Sequence, residues 1–463
     1  MKSRRAGLKL TLLALGILLL GLTPYHRPFT TSMRQAGAHR ATREYGAALA
    51  TYRQAAASNP ESPLPWLEIG QIYLLQNQSV LATAAFLEAQ HRRGSAEAVI
   101  GLAESYASQG DWATATRNLL RAQALAPDDA RVYAALGRAS MAQGLFAQAK
   151  GYLAQVLQMD ASDEEVAAAH ALLGRLVAGD DPTLAGDHFR QADDTDMLAV
   201  LDAVNTERDP ARRALLLGIA ALQRNELVLA RHNFERALSE APNDAEAHAY
   251  LAHTVDQLGE TVTARALLEQ ALALEDSTLA YYFMGTHHRL VGNLDAAQAA
   301  LWQALLRDPE NAALRAEMAG IFVDQSDYAS AEEWYQGAVE MAPDEVGFHL
   351  MLVHFYIDHL YRVAEAGVPA ALALFELSPK DAQAYDLLGW TYHLAGQPSE
   401  ALQALLQAVT LDPGLVSAHY HLGSLYATTG QNDAARPHLQ RAVDLDTGGY
   451  YRSRAELILR NLE

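Results

Sequence analysis

The 463-residue chain contains no cysteine, and that single absence removes several chemistries at once. Disulfides, thiolate nucleophiles, cysteine-bound zinc and a lipidated N-terminal cysteine are all excluded. The absence suits an oxidising compartment without requiring one. Basic residues are scarce too: 35 Lys and Arg face 55 Asp and Glu, for a formal net charge of −20. Nucleic-acid binding rewards clustered cations that neutralise phosphates, so that class is set aside. Catalytic signatures are missing as well. No glycine-rich phosphate loop follows a strand, because no stretch reads as a strand, and neither Gly-x-Ser-x-Gly nor His-Glu-x-x-His occurs. Asp180-Asp181 and Asp193-Asp194 fall in predicted turns without the Asp-x-Asp-x-Asp-Gly pattern of a calcium loop, and read as solvated loop residues. The 17 histidines include His287-His288 and His419-x-His421, but side chains one or two apart on a helix point in different directions and cannot chelate together. No enzyme activity, metal, cofactor or small-molecule substrate is expected.

What is present begins with a basic and then apolar N-terminus. Lys2, Arg4, Arg5 and Lys9 precede an almost wholly apolar run from Leu10 to Leu22. Ala6 to Thr23 would make roughly 27 Å of helix at about 1.5 Å per residue, against a hydrocarbon core about 30 Å thick. Gly21-Leu22-Thr23 is followed by Pro24, a poor cleavage site, and Ala36-Gly37-Ala38 lies too far downstream. These features favour a retained anchor over a cleaved signal peptide. Charges on the N-terminal side place that end in the cytoplasm and everything beyond Pro24 outside. Ser3-Arg4-Arg5-Ala6-Gly7-Leu8-Lys9 has the look of a twin-arginine export motif, with Gly7 in place of its usual Phe, but ordinary topology-setting charges explain it as well.

Beyond residue 28 the chain repeats itself with a period near 34, made visible by Pro60, Pro127, Pro242, Pro309, Pro343, Pro379 and Pro413. In the unit at 63–95, Trp66, Ile69, Gly70 and Tyr73 are spaced by three and four, one stripe of a helix. Asn77-Gln78 supplies a turn, and Ala82, Phe86 and Ala89 form the facing stripe of a second helix. Small residues at repeat positions 8 and 20 let the two backbones approach; large ones at 4, 11 and 24 fill the space around them. One apolar side is left over, which only a neighbouring hairpin can bury. The same offsets recur in Leu136, Gly137, Ala149 and Leu153; in Gly218, Ala230, Phe234 and Ala237; and in Ala319, Phe322, Ala331, Tyr335 and Ala338. They recur most fully in Tyr385, Leu388, Gly389, Tyr392, Ala401, Leu405 and Ala408, and again in Leu422, Gly423, Tyr426, Ala435, Leu439 and Ala442.

This pattern resembles the tetratricopeptide repeat over roughly residues 29–449. The resemblance implies an all-α fold: a right-handed superhelical solenoid of antiparallel helix hairpins, here preceded by one transmembrane helix. The expected organisation is an anchor or signal segment at 1–28, an N-terminal array at 29–192, an irregular joint at 193–210, a C-terminal array at 211–449 and a capping helix at 450–463. The unit at 346–381 is two residues too long, and Gly367-Val368-Pro369 suggests a bend there. The resemblance also implies a concave wall lined by first helices. In the C-terminal half that set reads His253, Phe283, His287 and Arg289, then His354, Trp390 and His393, then Tyr420, a candidate partner-binding groove with packing between units as the alternative. A Lys/Asn/Arg carboxylate clamp cannot be assembled: Ile100, Glu104, Ala134 and Arg138 occupy the positions inspected for it. The expected function is a membrane-tethered extracytoplasmic scaffold for protein or peptide partners, serving envelope assembly, secretion or polysaccharide export. A freely secreted or periplasmic adaptor is the alternative if the N-terminus is removed, and a metal-binding or enzymatic protein built on the helical wall is the rival of another class.

The anchor makes a direct prediction. Full-length protein should stay with membranes through a carbonate wash, with residues beyond 28 open to external protease. A mature N-terminus between residues 21 and 40 would remove the anchor.

Overall fold

The computed structural model describes residues 28–462, so most of the anchor segment lies outside the described residues. Among the described residues there are 26 α-helices, one π-helical turn and no strand, and no helix is long and apolar enough to cross a membrane. In chain order the helices are α1 (28–41), α2 (Tyr45–Ser58), α3 (Leu64–Leu75), α4 (Ser79–Arg92), α5 (Ala96–Ser108) and α6 (Trp112–Leu125). They continue with α7 (Ala130–Ala142), α8 (Phe146–Val156), α9 (Asp163–Val177), α10 (Pro182–Gln191), α11 (Thr195–Thr206), α12 (Pro210–Gln223) and α13 (Leu227–Glu240). Then come α14 (Ala245–Gln257), α15 (Thr261–Leu274), α16 (Thr278–Leu290), α17 (Leu294–Arg307), α18 (Ala312–Asp324), α19 (Tyr328–Met341) and α20 (Val346–Asp358). After the π turn (Val363–Gly367) follow α21 (Val368–Leu377), α22 (Ala382–Leu394), α23 (Pro398–Leu411), α24 (Val416–Thr428), α25 (Asn432–Leu445) and α26 (Tyr450–Asn461). They form two compact units: one runs up to Pro127 and resumes at Gly414, the other spans Asp128–Pro413.

Several hairpins close where a first-helix glycine faces a large second-helix side chain, and others carry alanine there, as at Ala252 and Ala319. A Cβ on Gly70 would lie 2.7 Å from the Phe86 ring, and one on Gly137 would lie 2.7 Å from Leu153. Gly218 meets Phe234 in the same way. Phe86, Phe234 and Leu153 are essentially without exposure, so the space that the glycine leaves open is filled completely. Between the two helices of nearly every hairpin (α9 and α10 excepted), a residue in the left-handed region turns the chain. Arg43, Asn77, Gly110, Gly144, Asn225, Gly259, Gly292, Ser326, Leu360, Gly396 and Gly430 all have positive φ. The following amide then closes a bond back to the helix, as from Gln78 to the Tyr73 carbonyl (2.8 Å) and from Gln397 to Tyr392 (2.9 Å). This is the helix-ending motif in which a left-handed residue lets later amides satisfy orphan carbonyls.

The unit Asp128–Pro413 shows how hairpins stack. Consecutive first helices touch: α7 with α9, α12 with α14, α14 with α16, α18 with α20 and α20 with α22. No pair of consecutive second helices makes a comparable contact, so within this unit the first helices lie on the inner side of the stack.

Two departures from the sequence reading stand out. Residues 193–210 are not irregular: they carry α11, whose Met197, Leu201 and Val204 pack against Ala178, Ala185, Phe189 and Leu217. Of the four acidic residues that read as solvated loops, Asp181 and Asp194 are helix caps, and Asp209 in the expected joint is another. Asp181 accepts from the Leu184 amide (3.0 Å), Asp194 from Met197 (3.1 Å) and Asp209 from Ala211 (3.0 Å). Asp194 also takes Arg175 (3.3 Å) and Arg224 (3.1 Å). The second departure is the form taken by the long unit at 346–381. Its extra residues are absorbed by the π turn, entered through Arg362 with φ 45°. Buried Glu332 holds that turn by accepting from the Tyr356 hydroxyl (2.7 Å) and from Arg362 (2.8 Å). Such single π turns are how a helix accommodates an insertion.

The hairpin contact carries a prediction. At Gly389 a Cβ would lie 2.7 Å from Leu405 Cγ and 3.0 Å from the Leu405 backbone nitrogen, and backbone cannot step aside. Gly389→Leu should cost about 1–3 kcal/mol by overpacking, read as a lower midpoint in thermal or urea melting.

Candidate binding wall of first helices

The eight residues expected to line the wall divide by burial. Phe283 and His287 are 6% and 3% exposed, so neither is a surface anchor. Phe283 belongs to a core cluster with Ala249, Ala252, Leu268 and Ala280, and Tyr250 meets its ring edge-on at 5.5 Å between centroids. It packs one repeat onto the next. His253 stacks on the same ring at 4.4 Å with 10° between planes, and its Nε2 lies 2.6 Å from Gln257 Nε2. Burial holds the His253 imidazole below its ordinary range. His287 Nδ1 meets Asp256 Oδ2 at 3.0 Å, a buried pair that joins α16 to α14.

Arg289 is half-buried and engaged. Its guanidinium bonds Asp324 and approaches Glu317 (3.5 Å), tying α16 to α18. The Asp324 bond raises the Arg289 pKa, and burial pushes the Glu317 carboxyl up. Tyr282 adds to this group: burial, and then the Glu317 charge, push its phenol up to about 12. Arg212 and Glu246 form a similar tie between α12 and α14. The polar residues of this inner face therefore act mainly as ties between successive first helices. Such pairs fix the spacing of the stack more than they add stability.

Tyr420 belongs to the other unit, where α26 lies over it. Its ring centroid is 5.2 Å from that of Tyr451, and it packs against the Ala435, Leu439, Ala442 and Ala455 cluster. The ring thus packs beside the last helix while staying part-exposed. His354, Trp390 and His393, on first helices α20 and α22, are part-exposed, as are His253, Arg289 and Tyr420. Trp390 leans one side on the cluster containing Leu387 and Leu388, and its ring is 5.1 Å from that of His393. His354 lies 3.7 Å from Asp358, with its side chain 45% exposed.

An aromatic cluster at the π turn was not foreseen. Tyr328, Tyr335, Phe355, Tyr356, His359 and Tyr361 make successive ring contacts with centroids 4.9–6.2 Å apart. The signal was present as aromatic density around 355–361, beside the two extra residues. It could not be grouped without knowing that the π turn folds Tyr361 back toward Tyr328.

Comparisons with known proteins agree with this architecture. Models described as tetratricopeptide repeat match residues 33–98, 107–173, 215–277, 284–346 and 416–447, and one described as TPR repeat matches 389–430. No curated protein matches the sequence. Among solved structures, yeast Tom70 is 16% identical with TM-score 0.43, covering 94% of this chain and 95% of its own. MamA from Desulfovibrio magneticus RS-1 is 20% identical with TM-score 0.33, covering 37% and 96%. YrrB, described as a TPR protein with an unusual peptide-binding site, is 20% identical with TM-score 0.32, covering 41% and 97%. Likeness at this level carries no inference about function.

The reassignment of His287 is testable. Asp256 Oδ1 already lacks a partner, so His287→Ala strands a buried carboxylate. That should destabilise the protein by about 1–3 kcal/mol, while His354→Ala leaves urea melting almost unchanged.

Proposed function

We propose, on the premise that the chain belongs to the tetratricopeptide repeat family, that it is a scaffold whose α20–α22 inner face receives a partner protein segment. Proteins built of these repeats bind protein or peptide partners. The observation that carries the choice of face is that His354, Trp390 and His393, two imidazoles and an indole, stand part-exposed together on neighbouring first helices α20 and α22. Aromatic and imidazole groups on a rigid surface suit binding because they add contact area at little entropic cost.

The reading includes a membrane tether. Its support is the sequence of Lys2, Arg4, Arg5 and Lys9 ahead of the Leu10–Leu22 run, with the repeats outside the cytoplasm. An envelope-assembly, secretion or polysaccharide-export machine is the setting that suits a tethered scaffold of this kind, and a released periplasmic adaptor is the form it takes if the segment is removed. The net charge of −20 favours partners that are not polyanions.

Capture of partners by the 29–463 fragment, followed by their identification and a titration, tests the proposal. His393→Ala and Trp390→Ala should each weaken binding at least roughly tenfold. His393→Ala should leave melting unchanged, while Trp390→Ala lowers it modestly because one side of the ring packs on Leu387 and Leu388. Undiminished capture by the double variant would remove this face from the account.

A further inference from the structure

The first and last repeats share one compact unit, and the contacts between them are made by helix ends. Helix α2 begins without a cap of its own, for Glu44 at its N-cap makes no side-chain bond to the helix. The Glu44 carboxylate turns instead to His39, at 2.6 Å. The acceptor comes from the far end of the sequence. Asp444 on α25 takes the Gly46 amide at 2.9 Å, and Asp444 itself is 5% exposed. One turn earlier on α25, Arg441 donates to the carbonyls of Thr42 (3.2 Å) and Arg43 (3.5 Å), just past the end of α1. A carboxylate thus sits at a helix N-terminus and a guanidinium at a helix C-terminus, the placement that orphan amides, orphan carbonyls and the helix dipoles all favour.

These are not general features of the repeat. One period earlier, the corresponding positions on α23 hold Gln407 and Thr410. Gly46 fits the role as well, since a Cβ there would come within 3.1 Å of both Asp444 Oδ1 and Gln440 Nε2. Beside the contact lies an open cleft of about 500 Å³, lined by Leu49, Tyr73, Gln76, Leu81, Val443 and Ser453. Hydrogen bonds from charged groups thus join the two ends beside open space. Small polar contacts of that kind separate far more readily than a packed core.

We infer that Arg441 and Asp444 form an intramolecular latch whose occupant is the chain's own α1–α2 turn. It holds the first and last repeats together and opens without unfolding either. The cysteine-free sequence makes this accessible to measurement. Dyes on Ser58→Cys and Ser453→Cys in the full-length chain report the separation of the ends by single-molecule energy transfer. The parent should populate mainly a high-transfer state. Arg441→Ala with Asp444→Ala should make that state a minority while helicity and the melting midpoint hold. Gly46→Leu should open the latch from the opposite side. Three results would each overturn the inference: a high-transfer state that survives in the double variant, loss of helicity in that variant, or transfer in the parent that vanishes when labelled chains are diluted into unlabelled ones. The last would mean that the contact joins two copies.

Discussion

The fold depends on a close approach between the two helices of each hairpin, at a position where the first helix carries glycine or, as at Ala252 and Ala319, only a methyl group. At Gly70, Gly137, Gly218, Gly389 and Gly423 the partner helix pushes a Phe or Leu into the space a Cβ would occupy. Glycine is costly inside a helix, by about 1 kcal/mol relative to alanine, and the structure recovers that cost by burying a whole aromatic or branched side chain. A left-handed turn residue, returning about every 34 residues, then sets the direction in which the second helix leaves. The pair of devices makes a hairpin. An apolar side left open on each hairpin makes a stack, because only the next copy can cover it.

The stack gives the inner face its character. First helices approach one another in the unit Asp128–Pro413, so charged groups there find partners one repeat away. Asp256 with His287, Arg289 with Asp324 and Arg212 with Glu246 are ties of this kind. Residues that look like binding groups in the sequence are thereby spent on structure. His354 on α20, and Trp390 and His393 on α22, are among the part-exposed residues of this face, and α20 belongs to the unit lengthened by the π turn.

Much of the hairpin was legible beforehand, because it is written in local spacing. Gly389 with Leu405, and Ala401 with Ala408, could be placed by counting. The turn at Asn77 was visible for the same reason. The form of the region near residue 200 was not legible: α11 has only Met197, Leu201 and Val204 as its buried stripe, and its aspartates pointed to loops when three of them in this region cap helices. Spacing places a residue on a helix, but burial depends on what the neighbouring repeat brings. Hence Phe283 and His287 went from wall to core, and Tyr420 came to lie under α26. Contacts between sequence ends, such as Asp444 with Gly46, leave no local signal at all.

The most direct test of the central claim is amide hydrogen exchange on the chain alone and with a captured partner. The account predicts added protection on the first helices α20 and α22, around His354 and Trp390–His393, with the second helices unchanged. Protection concentrated instead on outer second-helix surfaces, such as those carrying the exposed Val262 and Leu306, would contradict it.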